Sequence, residues 1–223
     1  MKAIKSLLLQ YAKPQRGVFF KTGPGDYAEH DQFMGVSVPN LRRIAKQFST
    51  LGPEEIQVLI ESPFNEERFL ALIILVERYQ TTKSLEIYEF YMKNLYHVNN
   101  WNLVDASAHL ILGAHVFDKE KTILLDLAQS QVMWERRISI VSTWYFIRKN
   151  ETDWTFKLAE MMLDDPHDLI HKACGWMLRE AGKRNLLKLK DFLRQHGQKM
   201  PRTMLRYAIE KFPPEERKIY MQK

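Results

Sequence analysis

The sequence predicts an all-α protein, an α-solenoid of stacked helix pairs, and three observations carry that expectation. From Leu41 onward, apolar residues recur at spacings of three and four in blocks of about ten to eighteen residues, broken by short polar stretches, and no segment alternates as a strand would. Alternate blocks resemble one another: ERFLALIILVERY, WNLVDASAHLILG, WERRISIVSTWYFIR, IHKACGWMLREAGK and PRTMLRYAIEKF. Aligning Arg68, Arg137, Lys172 and Arg206 separates them by 69, 35 and 34 residues, a helix-pair period of about 35. The third observation is compositional. With 45% hydrophobic and 27% charged residues, nine Gly and nine Pro, the chain is neither disordered, collagen-like nor a loop-rich disulfide scaffold. The Trp, Gly, Tyr and Ala signature of tetratricopeptide repeats fits none of the blocks, so a degenerate HEAT-like stack is expected, its second helices lining a concave, basic surface suited to a large, elongated ligand.

In chain order, MKAIKSLLLQYAK alternates apolar and charged residues at helical spacing, which predicts a first helix over 2–12; it lacks an apolar core and a small-residue cleavage site, so no signal peptide is expected. The stretch 14–39 holds the turn run KTGPGD and no sustained period, and reads as a long ordered loop or a short interrupted helix. Further helices are expected over 39–49, 53–61, 65–80, 84–95, 101–115, 119–130, 133–148, 152–163, 167–184, 185–195, 201–211 and 214–221. A length of 223 residues allows one domain or two small ones. The expectation is a single domain over 1–223, with the first helix and irregular loop in 1–40 and stacked pairs in 41–223. No apolar run reaches membrane-spanning length. The lone Cys174 excludes an intrachain disulfide and a thiol zinc cluster, which favours a cytoplasmic protein. A formal charge of +6 permits an anionic partner.

The helix IHKACGWMLREAGK projects as two stripes. Ile170, Cys174, Met177 and Ala181 form a core stripe, and Lys172, Trp176, Arg179 and Lys183 lie close to the opposite side. A tryptophan among three cations, away from the core, reads either as a basic, stacking ridge for nucleic acid or as packing between repeats beside ordinary surface charge. In the helix from Asn100, Leu103, Ala106, Leu110 and Ala114 make the expected core stripe, while Trp101, Asp105 and His109 face away from it. Asp105 follows Trp101 by one turn and sits too deep to cap the helix, a role better suited to Asn99 or Asn100. It can serve chemistry or pair with a neighbouring helix, Arg137 being one partner, and His109 reads as a surface or hydrogen-bonded residue. WERRISIVSTWYFIR is apolar around nearly its whole circumference, so Arg137 is buried and needs an internal acid or an anionic ligand. Glycine-rich phosphate loops, zinc-spaced His and Cys sets, HExxH and GxSxG are missing. Cys174, in an apolar stripe, reads as packing rather than as a nucleophile.

The segments NNWNLVDASAHLILG, VMWERRISIVSTWYFIR, LIHKACGWMLREAGKRN and FMGVSVPNLRRIAKQF resemble the AlkD-like DNA alkylation repair family over about Lys21 to Phe212. The resemblance implies a HEAT-like repeat glycosylase of base excision repair that hydrolyses the N-glycosidic bond of cationic N3- or N7-alkylated purines, 3-methyladenine and 7-methylguanine, in double-stranded DNA. It implies a catalytic set of Trp101, Asp105, Arg137 and Trp176, with Arg179 and Lys183 on the DNA backbone. Lys172, Arg184, Arg202, Arg206 and Arg137 itself are expected to add phosphate contacts. It also implies lesion recognition by charge from outside a pocket, so that bulky adducts are accepted. Neither metal nor organic cofactor is expected, and the expected form is a monomer without membrane contact. One departure stands out. Ser37 and Val38 precede Pro39 where the best-studied branch has Gln and Thr, which alters a hydrogen-bonding contact near the DNA. Two other readings remain open: a catalytically silent repeat protein that binds distorted or branched DNA, and a protein-binding solenoid whose tryptophans anchor a peptide.

Overall fold

The computed structural model describes residues 1–222, with Arg16 and Val18 described by backbone alone. The described residues are helical apart from turns, irregular connections and one parallel bridge between Gln32 and Phe64. They form two compact units, Met1–Ser107 and the chain from Ala108 onward.

In the first unit, α1 (Lys2–Tyr11) leads through a 3₁₀ turn (Pro14–Phe19) and an irregular stretch to α2 (Val38–Gln47), α3 (Pro53–Ile60), α4 (Asn65–Thr82), α5 (Leu85–Lys93) and α6 (Trp101–Ser107). Helix α4 is the centre. Its run from Phe69 to Val76 is buried on every side, and it packs against α2, α3, α5 and α6. It ends where Lys83 turns left-handed and returns its N–H to the Tyr79 carbonyl. The irregular stretch is tied to α4 by long-range bonds rather than by local pattern. The buried Glu66 carboxylate accepts the backbone N–H groups of Met34, Gly35 and Val36 at 3.0, 2.7 and 3.3 Å. Gly35 has φ +77°, and a Cβ there would stand 1.9 Å from the Lys13 carbonyl oxygen, so only glycine lets the chain pass.

In the second unit a π turn (His109–Gly113) and α7 (Ala114–Val116) precede α8 (Thr122–Ala128), α9 (Met133–Arg148), α10 (Asp153–Met161), α11 (Asp168–Gly182), α12 (Leu186–His196), α13 (Arg202–Ala208) and α14 (Pro214–Met221). Helix α9 is surrounded by the π turn, α8, α10 and α11, and α11 in turn by α10, α12 and α13. The close approach of α13 depends on Gly175, whose Cβ would lie 2.5 Å from the Met204 carbonyl oxygen. The stripe Ile170, Cys174, Met177 and Ala181 is fully buried, as its spacing requires. The Cys174 thiol lies 3.7 Å from the Met162 sulfur, and burial pushes its pKa up, away from the reactive thiolate. A thiol-reactive dye should therefore leave the native protein unlabelled and label one site after denaturation. Labelling of the native protein at the rate of a free thiol would contradict that burial.

The expected 101–115 helix needs a correction. The Gly113 N–H reaches the Ala108 carbonyl, five residues back, so α-helical spacing does not carry through the π turn. Of the stripe expected there only Leu103 is fully buried; Val104, Ala108, Ile111 and Leu112 take the core positions, and Ala106, Leu110 and Ala114 are part-exposed. Of the two readings of His109, surface or hydrogen-bonded, the first is excluded, because the residue is 5% exposed. No described helix is long and apolar enough to cross a membrane.

Candidate functional site

In the first unit, Trp101, Asn102, Asp105 and Ala106 of α6 face a cavity of about 370 Å³, as positions one, two, five and six of a helix share a side. Its opposite walls come from the irregular stretch and α2 (Phe20, Phe33, Val36, Ser37, Val38, Leu41) and from α4 (Asn65, Glu66, Phe69). Ser37 and Val38, the positions that depart from the family pattern, are thus part of this wall.

The indole of Trp101 is fixed from several sides. Phe20 stacks on it at 5.2 Å and 18°, Phe33 stacks behind Phe20 at 4.1 Å and 14°, and Phe19 meets it edge-on at 5.9 Å and 76°. Its Nε1–H donates to the Tyr27 hydroxyl at 3.1 Å. Beneath the start of α6 lies a buried polar cluster centred on Asp31, which pairs with Arg68 and accepts the side-chain amides of Asn65 at 2.9 Å and Asn100 at 2.6 Å. Asn65 and Asn102 also exchange amide hydrogen bonds, so the first turn of α6 is joined to α4. Of the two expected caps, Asn99 and Asn100, Asn100 precedes the helix and its backbone carbonyl accepts the Leu103 and Val104 N–H groups, while its side-chain amide donates to Asp31. Asp105, one turn beyond Trp101, is part-exposed on the cavity wall.

In the second unit, Arg137 is 5% exposed, as the apolar surround of α9 predicts, and its Nη1 donates to the Leu169 carbonyl at 2.6 Å. Trp176 is half-buried and meets Trp144 at 4.9 Å and 64°, while Trp144 packs on the ring of His109 at 4.5 Å. Trp176 thus has an aromatic neighbour, which part of the packing alternative anticipates. The cations beside it carry intrachain acids. Lys172 binds Asp168 at 2.8 Å, Lys183 binds Glu180 at 2.7 Å, and Arg179 binds Glu180 at 3.1 Å and also Glu210. A hydrogen bond from Lys211 and the charge of Arg179 hold the exposed Glu210 carboxyl below its ordinary pKa. The Lys172–Asp168 pair is open to solvent, where a phosphate can compete for the lysine, whereas Arg179 and Glu180 are largely buried together. Arg202 donates to the Met221 carbonyl at 3.0 Å, and Arg184, Arg202 and Arg206 are exposed.

Spacing therefore located Trp101 and Asp105 on one wall, but it did not locate Phe20, Tyr27, Phe33 or Asp31, whose places depend on contacts more than thirty residues away. Among the described residues, no group of three or more His, Cys, Asp or Glu side chains is placed to hold a metal ion.

No curated protein sequence matches the chain. The fold is similar to that of a solved structure from Enterococcus faecalis, a predicted DNA alkylation repair enzyme, with a TM-score of 0.74 and 20% identity over 92% of this chain and 99% of that one. The family model for DNA alkylation repair enzymes matches residues 4–212, nearly the whole sequence. By that match the chain belongs to the DNA alkylation repair enzyme family.

Proposed function

We propose that the protein is a DNA glycosylase that hydrolyses the N-glycosidic bond of purines made cationic by alkylation at N3 or N7 in double-stranded DNA. The observation that carries this reading is the pairing of a clamped indole, Trp101, with a carboxylate one turn on, Asp105, on one cavity wall. Family membership supports a role in alkylation repair.

The chemistry asks little of the protein. A purine alkylated at N3 or N7 already carries a positive charge, so it leaves with the electron pair of the C1′–N bond and becomes neutral without being protonated. Positive charge then moves to the sugar. The Asp105 carboxylate stabilises that charge and draws a proton from the water whose oxygen joins C1′. Trp101 offers its indole face to the cationic base, a contact of about 0.5 to 2 kcal/mol. Trp176 takes a similar part, and Arg137 holds a phosphate beside the lesion with charge-assisted hydrogen bonds. Lys172, Arg179, Lys183, Arg184, Arg202 and Arg206 supply salt-dependent contacts to the backbone. No step calls for a metal or an organic cofactor.

Purified protein should release 7-methylguanine and 3-methyladenine from methylated duplex DNA without added metal. Duplex binding with no release of either base would replace the glycosylase with a silent DNA-binding protein. Affinity that does not fall as salt rises would point instead to a protein ligand.

A further inference from the structure

Phe19 is a large apolar side chain left 74% exposed, yet it is not loosely held. It closes the 3₁₀ turn Pro14–Phe19, and the turn is pinned on both sides: the Lys13 N–H donates to the Met34 carbonyl at 2.9 Å, and the Ala28 N–H to the Lys21 carbonyl at 3.0 Å. Its ring rests edge-on against Phe20 at 5.7 Å and 88° and against Trp101 at 5.9 Å and 76°. Behind it, Phe20 and Phe33 continue the stack. Exposed lysines, Lys13 and Lys21, flank it. A large aromatic ring braced from behind and exposed in front, with two exposed lysines close to it in sequence, is suited to entering a stack of bases beneath a phosphate backbone.

We infer that Phe19 is a wedge that inserts at the base step next to the lesion. The inference rests on the function proposed above in one respect, that Trp101 lies against the damaged base. Bases repeat about every 3.4 Å along a strand, so a ring centred 5.9 Å from Trp101 reaches a neighbouring step rather than the lesion itself. An indole that meets a stacked base from the groove lies across the base planes. The Phe19 ring is inclined 76° to that indole, an inclination with which it is able to lie along the base planes. Opening the step loosens the damaged nucleotide in its stack, so charge on the sugar can be reached without drawing the base into a pocket. Phe19 then determines how readily a lesion is engaged in a given sequence context, because some steps unstack more easily than others.

The test uses the full chain and a duplex bearing 7-methylguanine on a 2′-fluorinated sugar, which resists cleavage, with 2-aminopurine on either side of it in turn. The parent protein should raise 2-aminopurine fluorescence on one side. Phe19→Ala should lose that rise and bind roughly tenfold more weakly, as expected for one lost base–ring stack. Its salt slope should be unchanged, since no phosphate contact is removed. Phe19→Trp should restore the rise. When the neighbouring base is replaced by an abasic analogue, the penalty of Phe19→Ala should vanish, because the wedge then has nothing to stack on. An equal penalty with and without that base would mean that Phe19 acts through Trp101, and the wedge would be overturned. No rise with the parent protein would overturn it too, while release of methylated bases would leave the proposed function standing. A rise that depends on Phe19 in a protein that releases no base would keep the wedge and overturn the glycosylase.

Discussion

Asp105→Asn should slow release of 7-methylguanine by roughly 10²- to 10³-fold, the usual effect of removing one group aimed at charge that develops in a transition state. The substitution keeps size and shape, so the cavity, the Trp101 stack and the helix should persist. What is lost is the negative charge beside the sugar. Glu66 cannot take over. It lines the same cavity, but its oxygens are engaged by the N–H groups of Met34, Gly35 and Val36. Affinity for duplex DNA should stay close to the parent value or rise slightly, since a carboxylate near phosphates repels them in the ground state. Single-turnover base release beside a binding titration separates the two quantities. If the variant released bases at the parent rate, Asp105 would be a structural residue and the assignment of chemistry to this wall would fail.

How much of this was legible in the sequence depends on where each contact comes from. Helices α9 and α11 were readable because their burial follows from spacing alone: Ile170, Cys174, Met177 and Ala181 repeat at four, three and four and are all fully buried. The pairing of Trp101 with Asp105 was readable for the same reason. The surroundings of Trp101 were not. Phe20, Tyr27 and Phe33 lie in a stretch without period, whose path is set by Glu66, Asn65 and Arg68 on α4, and no local pattern reports a bond across thirty residues. The cations show an intermediate case. Lys172 and its partner Asp168 are one turn apart and could be read from the sequence, but Glu210, which binds Arg179, belongs to another part of the chain. The stripe from Leu103 to Ala114 failed twice: Ala106, still within α6, faces the cavity beside Trp101 and Asp105, and farther on a π turn interrupts the helix, where a spacing rule assumes one helix type throughout.

Asp31→Ala should destabilise the first unit by about 3 to 5 kcal/mol, the range for removing one member of a buried ion pair. The Arg68 side chain is 4% exposed and would keep its charge without a carboxylate beside it. The side-chain amides of Asn65 and Asn100 would each lose a buried acceptor, and an orphaned donor costs about 1 to 3 kcal/mol. Since Asn65 also binds Asn102, the loss should reach the first turn of α6 and loosen Trp101. Near-ultraviolet circular dichroism and the urea midpoint would both report it. The exposed pair Arg194 with Asp191 provides a control, for which Asp191→Ala should change stability by about 0.5 kcal/mol or less. Base release should fall with Asp31→Ala, but only as the folded population and the indole position are lost, and a conservative Asp31→Asn should recover part of both. A destabilisation no larger than that of Asp191→Ala would show that Arg68 finds another partner, leaving the Glu66 bonds to hold the irregular stretch against α4.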